Sequence, residues 1–441
     1  MILKLFYSKI DKFLPEKLRE ALKHQGFKRY FANTGWMFLG QIFSLLVSFF
    51  VGAWLGRYLG PENFGILNYA LAFAGLFTFL ADLGIGGILN RELIKFPEKR
   101  DELLGTGFRL KILGGIIAFL LAITGALLIK SSALIKVLIV LFAFSFILQA
   151  INVISIFFYS IVKSKNNVRA AMAAALISSI LKIAVILLGQ GVIWIMFIYV
   201  LDSIWQGIGL IISYRRFGLK INNWKYNRTL AFKLLKDSWP LMLASATGFI
   251  YLKIDQVMIG WLLSNHEVGL YAAAVKLVEI WYFIPGIICG SLFPAIINAK
   301  ITDSVIYKKR LKALYLLMIG VALAIAIPST LLANWAIVML YGSKYLSAGP
   351  ILQIYAWSGI GLFVSTVITQ YFLSENRSLA IFYYNFFSMV INIAINLILI
   401  PLIGLTGAAW ATLISYLAGP IAVGTMGWFN SFRAKKLLNN T

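Results

Sequence analysis

Cysteine is almost absent from this chain of 441 residues: Cys289 stands alone, inside an apolar segment. It can form no internal disulfide and no thiolate metal cluster, and it reads as a small packing residue. Histidine is nearly as scarce. His24 and His266 fall in separate connections, neither beside a Ser or Cys nucleophile, so no hydrolytic or metal-ligating constellation appears. No G-x-x-x-x-G-K-[ST] stretch exists to hold ATP, and no cofactor is expected. Energy for any transport would have to come from an ion gradient, the membrane potential or the substrate's own gradient. Acidic residues are few, 16 against 40 Lys and Arg, which leaves a net charge of +24. Charged residues together make up 13% of the chain, where soluble domains carry about 25%. Residues 1–30 are basic and lack the apolar core of a signal peptide.

What is abundant is apolar sequence, 61% of the chain. Stretches exceeding the roughly 18 residues that suggest a membrane helix fall at 33–55, 64–84, 108–129, 135–160, 168–188 and 191–213, then at 238–262, 268–296, 312–333, 350–373, 380–401 and 404–428. Helices follow from the hydropathy itself, because backbone groups in lipid must pair within their own segment. The expected class is an all-α polytopic membrane protein with 12 transmembrane helices. Arg57, Lys130, Lys136 and Lys344 fall on one side, and Lys182, Lys253 and Lys276 lie within spans. The remaining Lys and Arg collect in, or at the ends of, the opposite connections, the linker 214–237 and both termini. By the positive-inside rule that side is cytoplasmic, with the protein multi-pass in the inner (plasma) membrane. This sorting also argues against a nucleic-acid partner. The arm 1–32 has apolar residues at helical spacing between lysines, as in a helix lying on the anionic cytoplasmic leaflet; residues 429–441 form a short cytoplasmic tail.

The chain repeats itself. Gly56 to Asn68 reads G-R-Y-L-G-P-E-N-F-G-I-L-N, and Gly260 to Ala272 reads G-W-L-L-S-N-H-E-V-G-L-Y-A, with the glycine spacing kept. Ser164-Lys165-Asn166 and Ser374-Glu375-Asn376 echo one another further on. The offsets, 204 and 210 residues, are close to half the chain. Two similar six-helix lobes, 33–213 and 238–428, are therefore expected, with a site between them and alternating access by rocking of one against the other. Residues 334–349 read as a short re-entrant or interfacial piece. Pro285, Pro294, Pro328 and Pro420 interrupt spans of the second half.

Arg57-Tyr58-Leu59-Gly60-Pro61-Glu62-Asn63-Phe64-Gly65, followed by Asp82-Leu83-Gly84 and Asn90-Arg91-Glu92, resembles the opening of Wzx-type polysaccharide (O-antigen repeat-unit) flippases. Asp255 to Gly269 resembles the counterpart in their second half, and Tyr341-Gly342 the stretch before span 10. These flippases form the polysaccharide-transport branch of the multidrug/oligosaccharidyl-lipid/polysaccharide exporter superfamily. The resemblance implies two pseudo-symmetric lobes around a central V-shaped cavity. It also implies movement of undecaprenyl-pyrophosphate-linked oligosaccharide units from the cytoplasmic to the outer leaflet. The implied partners are that lipid-linked oligosaccharide diphosphate, membrane lipids, and a polysaccharide polymerase with chain-length proteins. Two other functions compete: a cation-coupled multidrug exporter, and a membrane enzyme acting on lipid-linked sugars. Drug exporters favour acidic cavities, and such enzymes need carboxylates or a large loop at the outer face, where this chain has only Glu62 and His266-Glu267.

An ionisable group at mid-bilayer costs about 2.5–3.5 kcal/mol on insertion scales, so each needs a reason. Six lie deep in spans: Lys182, Asp202, Lys253, Asp255, Lys276 and Glu279. Three positive and three negative charges on four helices imply a hydrated cavity. Lys276 and Glu279, three apart, can pair on one helical face, and Lys182 and Asp202 can neutralise each other across adjacent helices. Lys253 and Asp255 point to different sides of span 7, and Lys253, with Ser245, Gln256 and Gly260, marks its more polar side. The substrate-binding candidates are thus Lys253, Lys276, Lys182, Gln256 and Asn392, and the coupling or cavity acids Asp255, Glu279 and Asp202. Trp36, Gln41, Trp281, Tyr282, Asn385 and Asn396 could also meet sugars. Asp82 and Arg91 sit nearer the cytoplasmic end and read as structural.

Overall fold

The computed structural model describes residues 25–375 and 377–438, so the amphipathic reading of the arm falls mostly outside the described residues. Among the described residues every regular element is helical. Nine helices are by themselves long and apolar enough to cross a membrane, and Ser343–Tyr355 with Ser358–Ser374, bent by 46°, make a tenth. The difference from twelve has two physical sources. Spans 1 and 2 run as one helical stretch, Gln25–Gly75, interrupted only at Gly60. Span 7, within Arg228–Leu262, carries Lys253, Asp255 and Gln256, which lower its hydropathy.

The connection between spans 1 and 2 is reduced to one residue. Gly60 has φ 68° and ψ 169°, a conformation open essentially to glycine alone, and Pro61 then starts span 2 with its φ already set. The chain folds back there. The Phe64 ring lies against Gly56, although eight residues of straight helix would separate them by about 12 Å. The corresponding turn in the second half uses different chemistry. Ser264 caps Asn265–Glu279, accepting from the Glu267 amide at 3.4 Å, and its hydroxyl donates to the Glu267 carboxylate.

The two hairpins meet face to face. A Cβ on Gly65 would overlap the Asn265 carbonyl oxygen, and one on Gly269 would overlap that of Pro61. The repeated glycines thus let the backbones of spans 2 and 8 touch reciprocally. Around them a single apolar core joins the lobes, with Leu55, Phe64 and Leu67 from the first and Val268, Tyr271 and Tyr355 from the second. Residues 334–349, expected as a re-entrant or interfacial piece, belong to this seal: Tyr341 and Tyr345 are buried and pack on Phe64. The Tyr345 hydroxyl donates to the Gly56 carbonyl at 2.7 Å.

At the opposite end, which carries the linker 214–237, the cores separate. One belongs to lobe 1 (Leu89, Leu104, Phe158, Leu210) with Ala231 and Leu234 from the helix that becomes span 7. The other belongs to lobe 2 (Phe293, Met318, Phe363). One shared core at the hairpin end and two at the linker end make a V that opens toward the linker end. The linker itself is clamped on lobe 1. The Lys225 amide donates to the Asp101 carbonyl at 3.1 Å, and the Asn227 amide to Thr106 Oγ1 at 3.0 Å. Gly84 admits the Met242 backbone, and Arg91 pairs with Asp237 at 3.2 Å. Span 8 breaks between Asn265–Glu279 and Phe283–Thr302, with Pro285 in the first turn of the second piece.

Candidate functional site

Just inside the hairpin seal the intramembrane charges converge. Lys253 of span 7 reaches Glu279 of span 8 at 2.7 Å, with about a quarter of each side chain exposed (28% and 25%). The expected Lys276–Glu279 pair does not form. Lysine placed N-terminal to glutamate is the poorer order on a helix, and Lys276 leans the other way. Its Nζ stands 4.5 Å from the centre of the Phe64 ring, across the lobe boundary. In lobe 1, Lys182 pairs with Asp202 at 3.5 Å while sitting 4.1 Å over the Tyr199 ring. Lys182, Lys253 and Glu279 all act electrostatically on Lys276. Two of the three lysines thus have a carboxylate. Lys276 has none within 4.0 Å among the described residues and instead meets the electron-rich face of an aromatic ring.

Asp255 lies elsewhere, sealed inside lobe 2 and 3% exposed. Asn396 donates to its Oδ1 at 2.7 Å, Tyr271 to its Oδ2 at 2.8 Å, and Thr412 to Oδ2 at 2.5 Å. Asn396 also donates to Asn392 Oδ1 at 3.0 Å, and Asn392 to Ser415 Oγ at 3.3 Å. Four helices therefore meet at one carboxylate through neutral polar groups, as burial of a charge demands.

Two residues expected at a substrate surface do not reach one in this conformation. Gln256 is buried, and Asn392 is fully buried within the Asp255 network. Asn392 is held by Ser415 and Asn396 of its own lobe, whereas Gly260, one turn from Gln256, packs on Tyr69 of lobe 1. Of the other sugar candidates, Trp36 lies under Lys165, Asn385 donates to the Ala244 carbonyl at 3.3 Å, and the Tyr282 hydroxyl meets that of Tyr355 at 3.5 Å. Trp281 and Gln41 are exposed. Asp82 pairs with Lys111 at 2.5 Å. Sequence reasoning missed Tyr271 and Thr412. The Asn392/Asn396 spacing of four in an apolar helix was the available signal that some buried polar group needed amides.

Lobe 1 also holds a cavity of ≈ 290 Å³ between spans 1, 5 and 6, into which Lys182, Tyr199, Asp202 and Gln206 project. The arrangement offers anions a positive cleft at the tip of the V, and offers neutral polar ligands the adjoining cavity.

Residues 30–300 match the family described as "Polysaccharide biosynthesis protein". A probable flippase, AglR, of Haloferax volcanii is 26% identical over 249 residues, covering 56% of this chain and 51% of that protein. The chain thus spans about half the length of this curated relative. A second protein of Haloferax volcanii, the probable low-salt glycan biosynthesis flippase Agl15, is 21% identical over 86% of this chain and 79% of its own. Among solved structures, the lipid II flippase MurJ in an inward closed conformation superposes with a TM-score of 0.67 at 17% identity, covering 89% of this chain and 86% of that one. An inward-facing multidrug resistance MATE family transporter of the MOP superfamily gives 0.63 at 14% identity, covering 89% and 96%. These likenesses establish the fold of two lobes about a central cleft.

Proposed function

Because the chain belongs to the polysaccharide biosynthesis protein family, we propose that it is a flippase for lipid-linked oligosaccharides, with an undecaprenyl-pyrophosphate carrier. The sorting of Lys and Arg makes the linker end cytoplasmic and puts both termini on that side of the inner membrane. The V then opens to the cytoplasm, and the glycine-backed seal closes the outer end. A headgroup entering from the inner leaflet meets the three lysines at the tip.

The observation that carries this reading is Lys276, a cation held at the cleft's apex against an aromatic ring and without a carboxylate. A pyrophosphate can take it without breaking an ion pair, whereas Lys182 and Lys253 must first leave Asp202 and Glu279. Anion binding there would compete with the Phe64 contact, which bridges the lobes, so substrate arrival would loosen the outer seal. Asp255 takes the coupling role. A buried carboxylate ringed by neutral donors can exchange a proton or a small cation for these hydrogen bonds, and the change would be felt on all four helices that meet there. A cleft whose apical unpaired charge is positive suits an anionic headgroup better than the cationic substrates of a drug exporter.

Deletion of the gene tests the reading directly. Lipid-linked units should accumulate on the cytoplasmic leaflet, and the wild-type chain should clear them while Lys276→Ala does not. Unchanged distribution of these lipids after deletion would sink the assignment.

A further inference from the structure

A second cavity, of ≈ 740 Å³, lies between the lobes at their outer end. Tyr69 and Phe73 of span 2, with Lys130 from the connection after span 3, form one wall. Ile254, Val257 and Trp261 of span 7 form the other. Gly260 makes part of the room, since the Tyr69 ring lies where its Cβ would stand. The volume falls within the roughly 300–1,000 Å³ of ligand pockets.

This crevice is polar mainly at its mouth, where Lys130, Ser132 and Asn265 stand at the outer ends of their spans. Inward the walls are apolar apart from the Tyr69 hydroxyl. Tyr69 and Phe73 lie eight and twelve residues into span 2 from Pro61, about 12 and 18 Å of helix. Ile254 lies eight residues inside Leu262, again about 12 Å. A hydrocarbon core of about 30 Å gives each leaflet about 15 Å, so the crevice runs the depth of one leaflet. It also opens sideways. Leu128 and Trp261, one on each wall, are 80% and 71% exposed, and such side chains within spans face acyl chains. A ligand with a polar head and a long apolar tail fits this gradient and enters from the outer leaflet.

Lys130 sets the sign of the head. It is one of four basic residues on the outer side, against the general sorting, and it forms no ion pair among the described residues. Its neighbour Lys136 is turned back onto the Leu127 carbonyl at 3.5 Å. The acid closest in sequence to Asn265 is Glu267, which the Ser264 hydroxyl already engages. Ser132 accepts from the Ile135 amide at 3.4 Å, which leaves its own hydroxyl proton to donate. A phosphodiester can accept from Lys130, Ser132 and the Asn265 amide together.

We propose that this crevice binds an anionic phospholipid of the outer leaflet, head at Lys130 and one acyl chain between spans 2 and 7. Because its walls come from both lobes, rocking them apart at the outer end dismantles the site. By linkage the lipid then favours the sealed conformation. That second step rests on the alternating-access reading; the binding itself does not.

The test titrates phosphatidylglycerol and phosphatidylethanolamine with identical chains into the delipidated full-length protein, read by native mass spectrometry. One phosphatidylglycerol should bind more tightly than phosphatidylethanolamine by about five-fold, the effect of one basic residue on an anionic lipid. Lys130→Gln, at an exposed position, should erase that preference. Val257→Trp, shown folded by its melting temperature, should block both lipids at this site, and Trp261→Ala should weaken both alike. In a Cys289→Ala, Leu55→Cys protein, phosphatidylglycerol should slow labelling by an impermeant thiol reagent added outside. Equal binding of the two lipids overturns the proposal, as does a preference that survives Lys130→Gln or folded Val257→Trp. One-for-one displacement by undecaprenyl phosphate would give the crevice to the carrier lipid and overturn it as well. Labelling indifferent to phosphatidylglycerol overturns the link to the seal. Neither readout uses the transported oligosaccharide, so failure of the flippase reading is told apart from failure here.

Discussion

In lobe 1 the carboxylate of Asp202 faces a cavity, with a third of its side chain exposed (33%) and a lysine for company. In lobe 2 the carboxylate of Asp255 is sealed at 3% exposure among Tyr271, Asn396 and Thr412, without a cation in the group. The halves share a plan, since their hairpins repeat and their glycines meet reciprocally, yet they use intramembrane charge in opposite ways. An acid beside an open space can serve a ligand that comes and goes. An acid wrapped in neutral donors can instead register a proton or cation and pass the change to the helices that hold it. The duplication supplied the frame, and the polar residues then divided the work.

The shared frame is the first thing to break. Gly269→Val would drive a branched side chain into the Pro61 carbonyl, and no rotamer change relieves a clash with backbone. Transport should fall to background, and the hairpin seal should part. With Cys289 replaced by alanine, a cysteine at Leu55, buried at 1% exposure, should go from protected to labelled by an impermeant thiol reagent added outside. Continued protection together with wild-type transport would remove the seal from the mechanism. Next comes the contrast between the acids. Asp255→Ala takes the shared acceptor away from Tyr271, Asn396 and Thr412 and leaves a buried void in its place, and should lower the melting temperature markedly. Asp202→Ala leaves Lys182, 14% exposed but still over the Tyr199 ring and beside the cavity, and should cost less. Asp255→Asn should stay folded but lose its response to an imposed ion gradient, measured as flipping in proteoliposomes. Equal melting temperatures for the two alanine variants would dissolve the distinction between the lobes.

The lysines sharpen it further. Lys253→Ala leaves Glu279 without its partner and should destabilise the protein, by less than the roughly 3–5 kcal/mol of a fully buried pair. Glu279→Gln in the same chain should restore most of that loss. Lys276→Ala should keep the wild-type melting temperature and lose flipping. The reverse pattern would exchange the two roles.

The sequence makes the membrane class, the duplication and the spans legible, because hydropathy and glycine spacing are local signals. It also separates Lys253 from Asp255, since residues two apart on a helix cannot share a side. It does not disclose partners. Glu279 is as close along its helix to Lys276 as pairing requires, and only the approach of span 7 hands it to Lys253. Tyr341 and Tyr345 sit in a short apolar piece that reads as re-entrant or interfacial, and only the arrival of Gly56 and Phe64 from the other lobe buries them. Gln256 and Asn392 illustrate the same gap. A polar stripe shows that a helix needs polar company, and the fold decides whether that company is ligand or protein.

The smallest expected effect concerns the linker end, where span 7 is tied to lobe 1 although it belongs by duplication to lobe 2. Glu92, buried at 4% exposure, sits between Arg91 and Lys233, each at 3.2 Å. Burial alone pushes its carboxyl up, but the hydrogen bonds and charges of Lys233 and Arg91 outweigh this and hold it below its ordinary value of 4.5. A carboxylate whose folded value is depressed contributes stability above its unfolded value, and that contribution fades as pH falls through the folded one. Both basic partners are about half exposed (47% and 56%), so solvent screening limits the gain to about 1 kcal/mol or less. Glu92→Gln should therefore melt slightly below the wild type at pH 7, and the two curves should converge as the pH falls through the depressed folded value. A deficit that stays constant over that range would mean that the glutamate holds span 7 by shape and hydrogen bonding alone. The charged part of the tie would then rest on Arg91 and Asp237 alone.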